Sequence, residues 1–207
     1  MLDPKEIQTI EHDVVVIGAG GAGLRAAIEC SALGLNTGII CKSLLGKAHT
    51  VMAEGGMAAA LGNVDARDHW KIHFRDTMRG GKFLNQWRMA ELHAKEAPDR
   101  VRELEEWGAV FDRTKDGYIS QRNFGGHRYP RLAHVGDRTG LEMIRSLQDY
   151  GIHQGILFTW NVRRSILSRT EKRSQGWLHI GERAEDLLLL NARRLLSQQA
   201  ERVKHGK

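Results

Sequence analysis

The chain reads as an α/β protein, and three local observations predict that class. Residues 13–17, Asp-Val-Val-Val-Ile, form a short apolar run of buried-strand type that stops abruptly at glycines. A segment of helical period follows at once, with Leu24, Ala27, Ile28 and Ser31/Ala32 on one face and Gly34 placed to end it. Residues 36–40, Asn-Thr-Gly-Ile-Ile, then read as a second strand. Strand, turn, helix and strand in this order make a Rossmann-type unit with a parallel sheet.

The turn inside that unit is Gly18-Ala-Gly20-Gly21-Ala-Gly23. A GxGxxG pattern on its own is weak; between a strand and a helix it carries a mechanism. Gly18 makes the tight turn, Gly20 lets the backbone approach a pyrophosphate, and Gly23 lets the helix pack on the strand. The helix N-terminus then offers N–H groups and its positive dipole end to the anion. Dinucleotide binding is the expected function of this unit. Where NAD sites place an acid to hold the ribose, the second strand ends in Cys41-Lys42-Ser43. A cation and a hydroxyl fit ordinary NAD poorly and leave FAD or NADP open, with Lys42 and Ser43 as candidate cofactor contacts.

Further along, residues 68–79 have a helical pattern with Trp70, Phe74 and Thr77/Met78 on one face. Residues 86–107 are helical, with Pro98 expected to open a second helix because proline suits a first turn and breaks an interior. Residues 110–119 read as a hairpin around Asp116-Gly117, and residues 137–150 as another helix. His69 and His73 have an i, i+4 metal-ligand spacing, but no third ligand stands nearby, so both are read as exposed helix histidines and no metal is assigned.

Composition narrows the classes. The chain has 207 residues, 41% hydrophobic and 27% charged, enough for one soluble domain with a real core. No apolar run approaches the ~20 residues that cross a bilayer, and the first 13 residues are too polar for a signal peptide. The two cysteines, Cys30 in the helix and Cys41 at the strand end, lack CxxC spacing and read as buried reduced thiols. A cytoplasmic location is expected. The formal charge is +6, yet residues 1–160 hold 20 basic and 20 acidic side chains, and residues 161–207 hold 11 and 5. The excess belongs to the last segment, which argues against a nucleic-acid-binding fold.

Several stretches together resemble one family. They are GAGGAGLRAA, Lys42-Ser43, Ala48-His49-Thr50, AEGGMAAALGN, HFRDTMRGGKFLN, ELHAKEAPDRVRELEEWGAVFDR, QRNFGGHRYPR and DRTGLEMI. The sequence from about residue 10 to about residue 156 resembles the N-terminal part of the flavoprotein subunit of succinate dehydrogenase and fumarate reductase. The resemblance implies an incomplete glutathione-reductase-like FAD-binding domain and an oxidoreductase exchanging hydride between a dicarboxylate, succinate or fumarate, and FAD. By position, His49 is the residue that the family bonds covalently to the 8α-methyl carbon of the flavin, with Ala48 standing where many members have Ser. The resemblance also implies that Thr50 hydrogen-bonds the flavin, that Gly55 and Gly56 let the chain pass it, and that Phe124 and Gly125 lie near the substrate. It implies membrane-anchor subunits and an iron–sulfur subunit as partners, with the complex on the cytoplasmic face of the inner membrane. The family's catalytic side chains fall beyond the matching stretch, so none is assigned. L-Aspartate oxidase-like enzymes share the glycines without the linking histidine and are the alternative; a plain nucleotide-binding module is a weaker one.

The resemblance stops after Ile156. Family members continue there with a strand like V-x-M-E-C-T and later with A-T-G-G-x-G-x-A-W-K. Reading each codon's third base with the next codon's first two makes residues 157–163 compatible with the first pattern and residues 197–207 with the second, in one shared offset. Residues 1–156 are therefore expected to be the N-terminal portion of the FAD-binding domain, and 157–207 an out-of-frame basic tail. Leu187–Leu190 and Leu195-Leu196 have helix-forming composition. The 207-residue chain is expected to be a truncated fragment without catalysis, with His49 largely unmodified.

Overall fold

The computed structural model describes residues 8–41, 44–159, 165–169, 176–180 and 188–197. The chain divides into two compact units, residues 1–49 with 147–207, and residues 50–146.

In the first unit, β1 (Gln8–Ile17) leads through the glycine turn into α1 (Gly21–Ala32), and β2 (Thr37–Ile40) returns parallel to β1, Val14 opposite Thr37 and Ile17 opposite Ile40. The predicted order is present. Val14, Val15, Val16, Ile39 and Ile40 are buried under Leu24, Ala27 and Ile28 of α1. Gly34 closes the helix: its φ is +77°, and the Leu35 N–H donates back to the Cys30 carbonyl, the 6→1 bond of a Schellman ending. Any side chain at Gly38 would strike the His12 ring, since a Cβ there would lie 2.6 Å from Nε2. β6 (Leu157–Thr159) extends the sheet on the β2 side.

β1 starts five residues earlier than the apolar run suggested, because its other edge is paired along its length with β9 (Leu188–Ser197), from Gln8 opposite Leu188 to Ile17 opposite Ser197. β8 (Gly176–Ile180) and β7 (Ser165–Arg169) continue antiparallel, giving the order β6-β2-β1-β9-β8-β7. Of Leu187–Leu190 and Leu195-Leu196, whose composition suits a helix, Leu187 lies outside the described residues and the others lie in a strand. The open edge of β1 supplies a full ladder of partners, and such pairing overrides helix-forming composition.

The second unit begins with β3 (Met57–Ala58), and α2 (Trp70–Gly80) packs on α3 (Trp87–Glu106). β4 (Gln121–Arg122) and β3 flank β5 (Leu132–Ala133) in a small antiparallel sheet, and α4 (Thr139–His153) begins in this unit. The hairpin at Asp116-Gly117 forms: Arg113 bridges Ile119, Thr114 N–H donates to the Tyr118 carbonyl, and Gly117 takes φ +84°.

Pro98 does not open a new helix; it sits inside α3. The buried stripe Ala90, Ala94, Val101, Leu104 runs through it, so packing holds the helix across the missing N–H. Nor does α2 bury Trp70, Phe74 and Met78 most deeply. Its buried residues are His73 and Asp76, because Arg131, fully buried, lies against that face. Arg131 Nη2 is 2.8 Å from Asp68 Oδ1 and 3.0 Å from Asp76 Oδ2. His73 is therefore not an exposed helix histidine: it is 1% exposed, 5.2 Å ring to ring from His93 and 5.8 Å from His127. His69 is exposed and caps α2, its Nδ1 accepting the Lys71 N–H.

Candidate functional site

The glycine turn has the geometry a dinucleotide cradle requires. Gly18 takes φ +110°, a value that L side chains rarely adopt, and its N–H donates to the Ile40 carbonyl at 2.8 Å, tying the turn to the end of β2. Gly20 is the N-cap of α1, with no side chain to fill the approach, and Leu24 N–H donates to its carbonyl at 2.9 Å. Gly21 opens the helix, and Gly23 is buried where α1 meets the sheet. No acidic residue stands in the first turn of α1, where the positive end of the helix dipole favours an anion. A pyrophosphate fits these residues. Lys42 and Ser43 lie outside the described residues.

Cys41, just past β2, is buried, and burial pushes its thiol up to about 11. It stays protonated and inert. Both cysteines are free, and Cys30 is half-buried.

His49 is the first residue of a 3-10 turn, His49–Met52, and is exposed; Thr50 follows it directly. The far end of this turn is fixed by the start of α4. Gly140 N–H donates to the Ala53 carbonyl at 2.7 Å, and a Cβ on Gly140 would lie 2.0 Å from the Thr50 carbonyl oxygen. Only glycine permits that approach.

In the second unit, Gly55, Gly56 and Phe124 are brought together. A Cβ on Gly55 would touch the Phe124 ring at 3.6 Å. Gly56 takes φ +116° and lies so close to β5 that a Cβ would sit 2.8 Å from the Ala133 carbonyl oxygen. Phe124 is 59% exposed, and Gly125 beside it has open space around it. The loop is closed on its far side by Asp76, whose Oδ2 accepts the Arg128 N–H at 3.0 Å while facing Arg131.

Sequence reasoning missed the polar residues that hold this arrangement. Gln121 is buried; its Nε2 donates to the Ala59 carbonyl at 2.7 Å and its Oε1 accepts the Asn63 N–H at 3.0 Å. Arg122 Nε donates to the Gly55 carbonyl at 2.9 Å, Nη1 to Asp137 at 2.9 Å, and Nη2 to the Glu54 carbonyl. Two adjacent polar residues before a glycine-rich loop, in a strand too short to show alternation, were the available signal. Asp68, Asp76 and Arg131 left none, being far apart in sequence.

A sheet parallel across β6-β2-β1-β9, with a glycine turn between β1 and α1, defines a dinucleotide-binding α/β domain. The FAD binding domain family matches residues 13–198. The chain belongs to that family, and FAD is its cofactor. It is 50% identical over 152 residues to a fumarate reductase (CoM/CoB) chain of Methanothermobacter marburgensis, covering 73% of this chain and 28% of that one. Over 164 residues it is 41% identical to the succinate dehydrogenase flavoprotein subunit of Rickettsia bellii, covering 74% and 27%. Among solved structures, the Mycobacterium smegmatis Sdh1 complex in the apo form superposes with TM-score 0.83 at 52% identity, covering 92% of this chain and 34% of that one. An E. coli quinol fumarate reductase superposes at 0.79 with 27% identity, covering 92% and 32%. The chain thus spans about a quarter of the length of the curated relatives it matches, 22–28%.

Proposed function

We propose that this chain is the N-terminal FAD-binding part of a succinate dehydrogenase or fumarate reductase flavoprotein. The observation that carries the reading is the turn at Gly18–Gly23: a positive φ at Gly18, a side-chain-free N-cap at Gly20, and a first helical turn without an acidic residue. The identities to the fumarate reductase and succinate dehydrogenase chains support the substrate class, a dicarboxylate. When bound, FAD supplies a two-electron acceptor for hydride at its N5 position. In this reading the chain's own residues bind and orient. Gly18, Gly20, Gly21 and Gly23 hold the pyrophosphate, and Lys42 and Ser43 contact the cofactor. Thr50 hydrogen-bonds the ring, Gly55 and Gly56 lie along it, and His49 is its covalent anchor. Phe124 and Gly125 face the dicarboxylate. Electrons pass to an iron–sulfur subunit, while anchor subunits place the complex on the cytoplasmic face of a membrane. None of the described helices is long and apolar enough to cross a membrane.

The segment after residue 156 is read as out of frame, making the 207-residue chain inactive on its own. What supports this is that one common offset is compatible with two family patterns, at residues 157–163 and 197–207.

The experiment is acid precipitation of a longer protein carrying residues 1–156 in frame with the remainder. A flavin spectrum that stays with the precipitate, and that His49→Ala removes, is expected. Flavin released entirely into the supernatant from the unsubstituted protein would contradict the role of His49.

A further inference from the structure

The Arg122 guanidinium contacts neither cofactor nor substrate in the roles assigned so far, and it joins two segments 68 residues apart in sequence. Along β4 the side chains alternate faces. Gln121 turns into the core and fixes the Ala59 carbonyl and the Asn63 N–H. Arg122, on the other face, reaches the carbonyls of Glu54 and Gly55. β4 is thereby pinned from both faces to the stretch that contains Gly55 and Gly56. The residue after Arg122 begins the loop Asn123-Phe124-Gly125-Gly126, whose phenyl ring lies on Gly55.

We propose that Arg122 is a positioning residue: it locks the Phe124 loop against the Glu54–Gly56 backbone, so that the substrate-facing and flavin-facing segments keep one fixed spacing. The proposal rests on the reading given under Proposed function. The planar fork of Arg suits this work, because two of its N–H groups meet two successive carbonyls while a third meets Asp137. Lysine offers a compact charge and cannot span the same three acceptors. Asp137 is 84% exposed, so its pairing orients the guanidinium and adds little on its own. The two carbonyl bonds carry the lock. They also hold the Glu54–Gly55 backbone where Gly56 can lie flat on β5, which no side chain at Gly56 would allow.

The test uses the full chain with its five phenylalanines replaced by 4-fluorophenylalanine, the Phe124 signal being assigned by Phe124→Leu. Arg122→Lys and Arg122→Ala are compared with the unsubstituted chain by fluorine NMR, far-UV circular dichroism and FAD titration. In both variants the helix content is expected to stay, and the Phe124 signal to move towards that of a free ring. The FAD Kd is expected to rise roughly tenfold, the worth of a charge-assisted hydrogen bond. Added methylguanidinium should move the Arg122→Ala signal back, and does nothing for Arg122→Lys, whose cavity is filled.

An unmoved Phe124 signal in both variants overturns the proposal. Loss of cooperative unfolding in both also overturns it, in favour of a purely structural role. If the unsubstituted chain binds no FAD, the functional reading for this chain falls, and the fluorine signal still decides whether Arg122 sets the loop.

Discussion

His73 shows how far a single residue's surroundings can depart from its sequence context. It sits 1% exposed beside a buried guanidinium, and burial, then Arg131, depresses its protonation to about 3. His127 is shifted the same way for the same leading reason. The unfolded chain takes up protons on these rings near pH 6.5, which the folded chain does not. Stability from His73 is therefore complete above about 6.5 and is lost as pH falls towards about 3, and that from His127 is lost in the same direction. The slope is at most about 1.4 kcal/mol per pH unit for one site. Asp68, pushed up by burial, acts in the opposite sense, so the comparison must isolate the histidine. Urea unfolding of the unsubstituted chain and of His73→Gln at pH 7.5 and 5.0 does so. The unsubstituted chain is expected to lose more stability than the variant; equal losses would refute the assignment. His49 was singled out by its setting in Ala-His-Thr, and it lies exposed at the start of a 3-10 turn. His73 was not, because spacing at i, i+4 is silent about a partner 58 residues away.

At the scale of elements, what the sequence revealed was local and what it hid was tertiary. β1, its turn, α1 and β2 each announce themselves within a few residues, through an apolar run, glycines and a 3.6-residue period. The buried face of α2 was hidden, because an ion pair with Arg131 outweighs the apolar face that periodicity offers. The continuity of α3 through Pro98 was hidden for a similar reason, its packing stripe extending on both sides of the proline. The approach of α4 to the 3-10 turn is a further tertiary feature, and it makes Gly140 critical. A methyl there would lie 2.0 Å from the Thr50 carbonyl oxygen. Gly140→Ala is expected to displace the turn after His49 and to cost about 1–3 kcal/mol, the range for overpacking. A urea midpoint within error of the unsubstituted chain would contradict this. Gly80, with open space around it, is the matching control.

For the whole molecule, the FAD binding domain family matches residues 13–198, and the chain spans about a quarter of the length of the curated relatives it matches. The strand β9 shows what the β1 edge demands at its side, a parallel partner over nine paired positions. That demand is independent of which reading frame supplies the partner. The frame itself is decided by the nucleotides: the shifted frame is expected to encode Met-Glu-Cys soon after codon 157 and Thr-Gly-Gly near codon 197. Any other translation ends that proposal.

The central claim is that residues 18–23 form a cradle for FAD. It is tested most directly by titrating FAD into the purified chain while following flavin fluorescence, beside Gly20→Val, which places a branched side chain at the N-cap. The account predicts saturable one-to-one binding that Gly20→Val weakens at least roughly tenfold, the cost of blocking the pyrophosphate's approach to the helix N-terminus. Equal binding by both chains, or no saturable binding by the unsubstituted one, would contradict it.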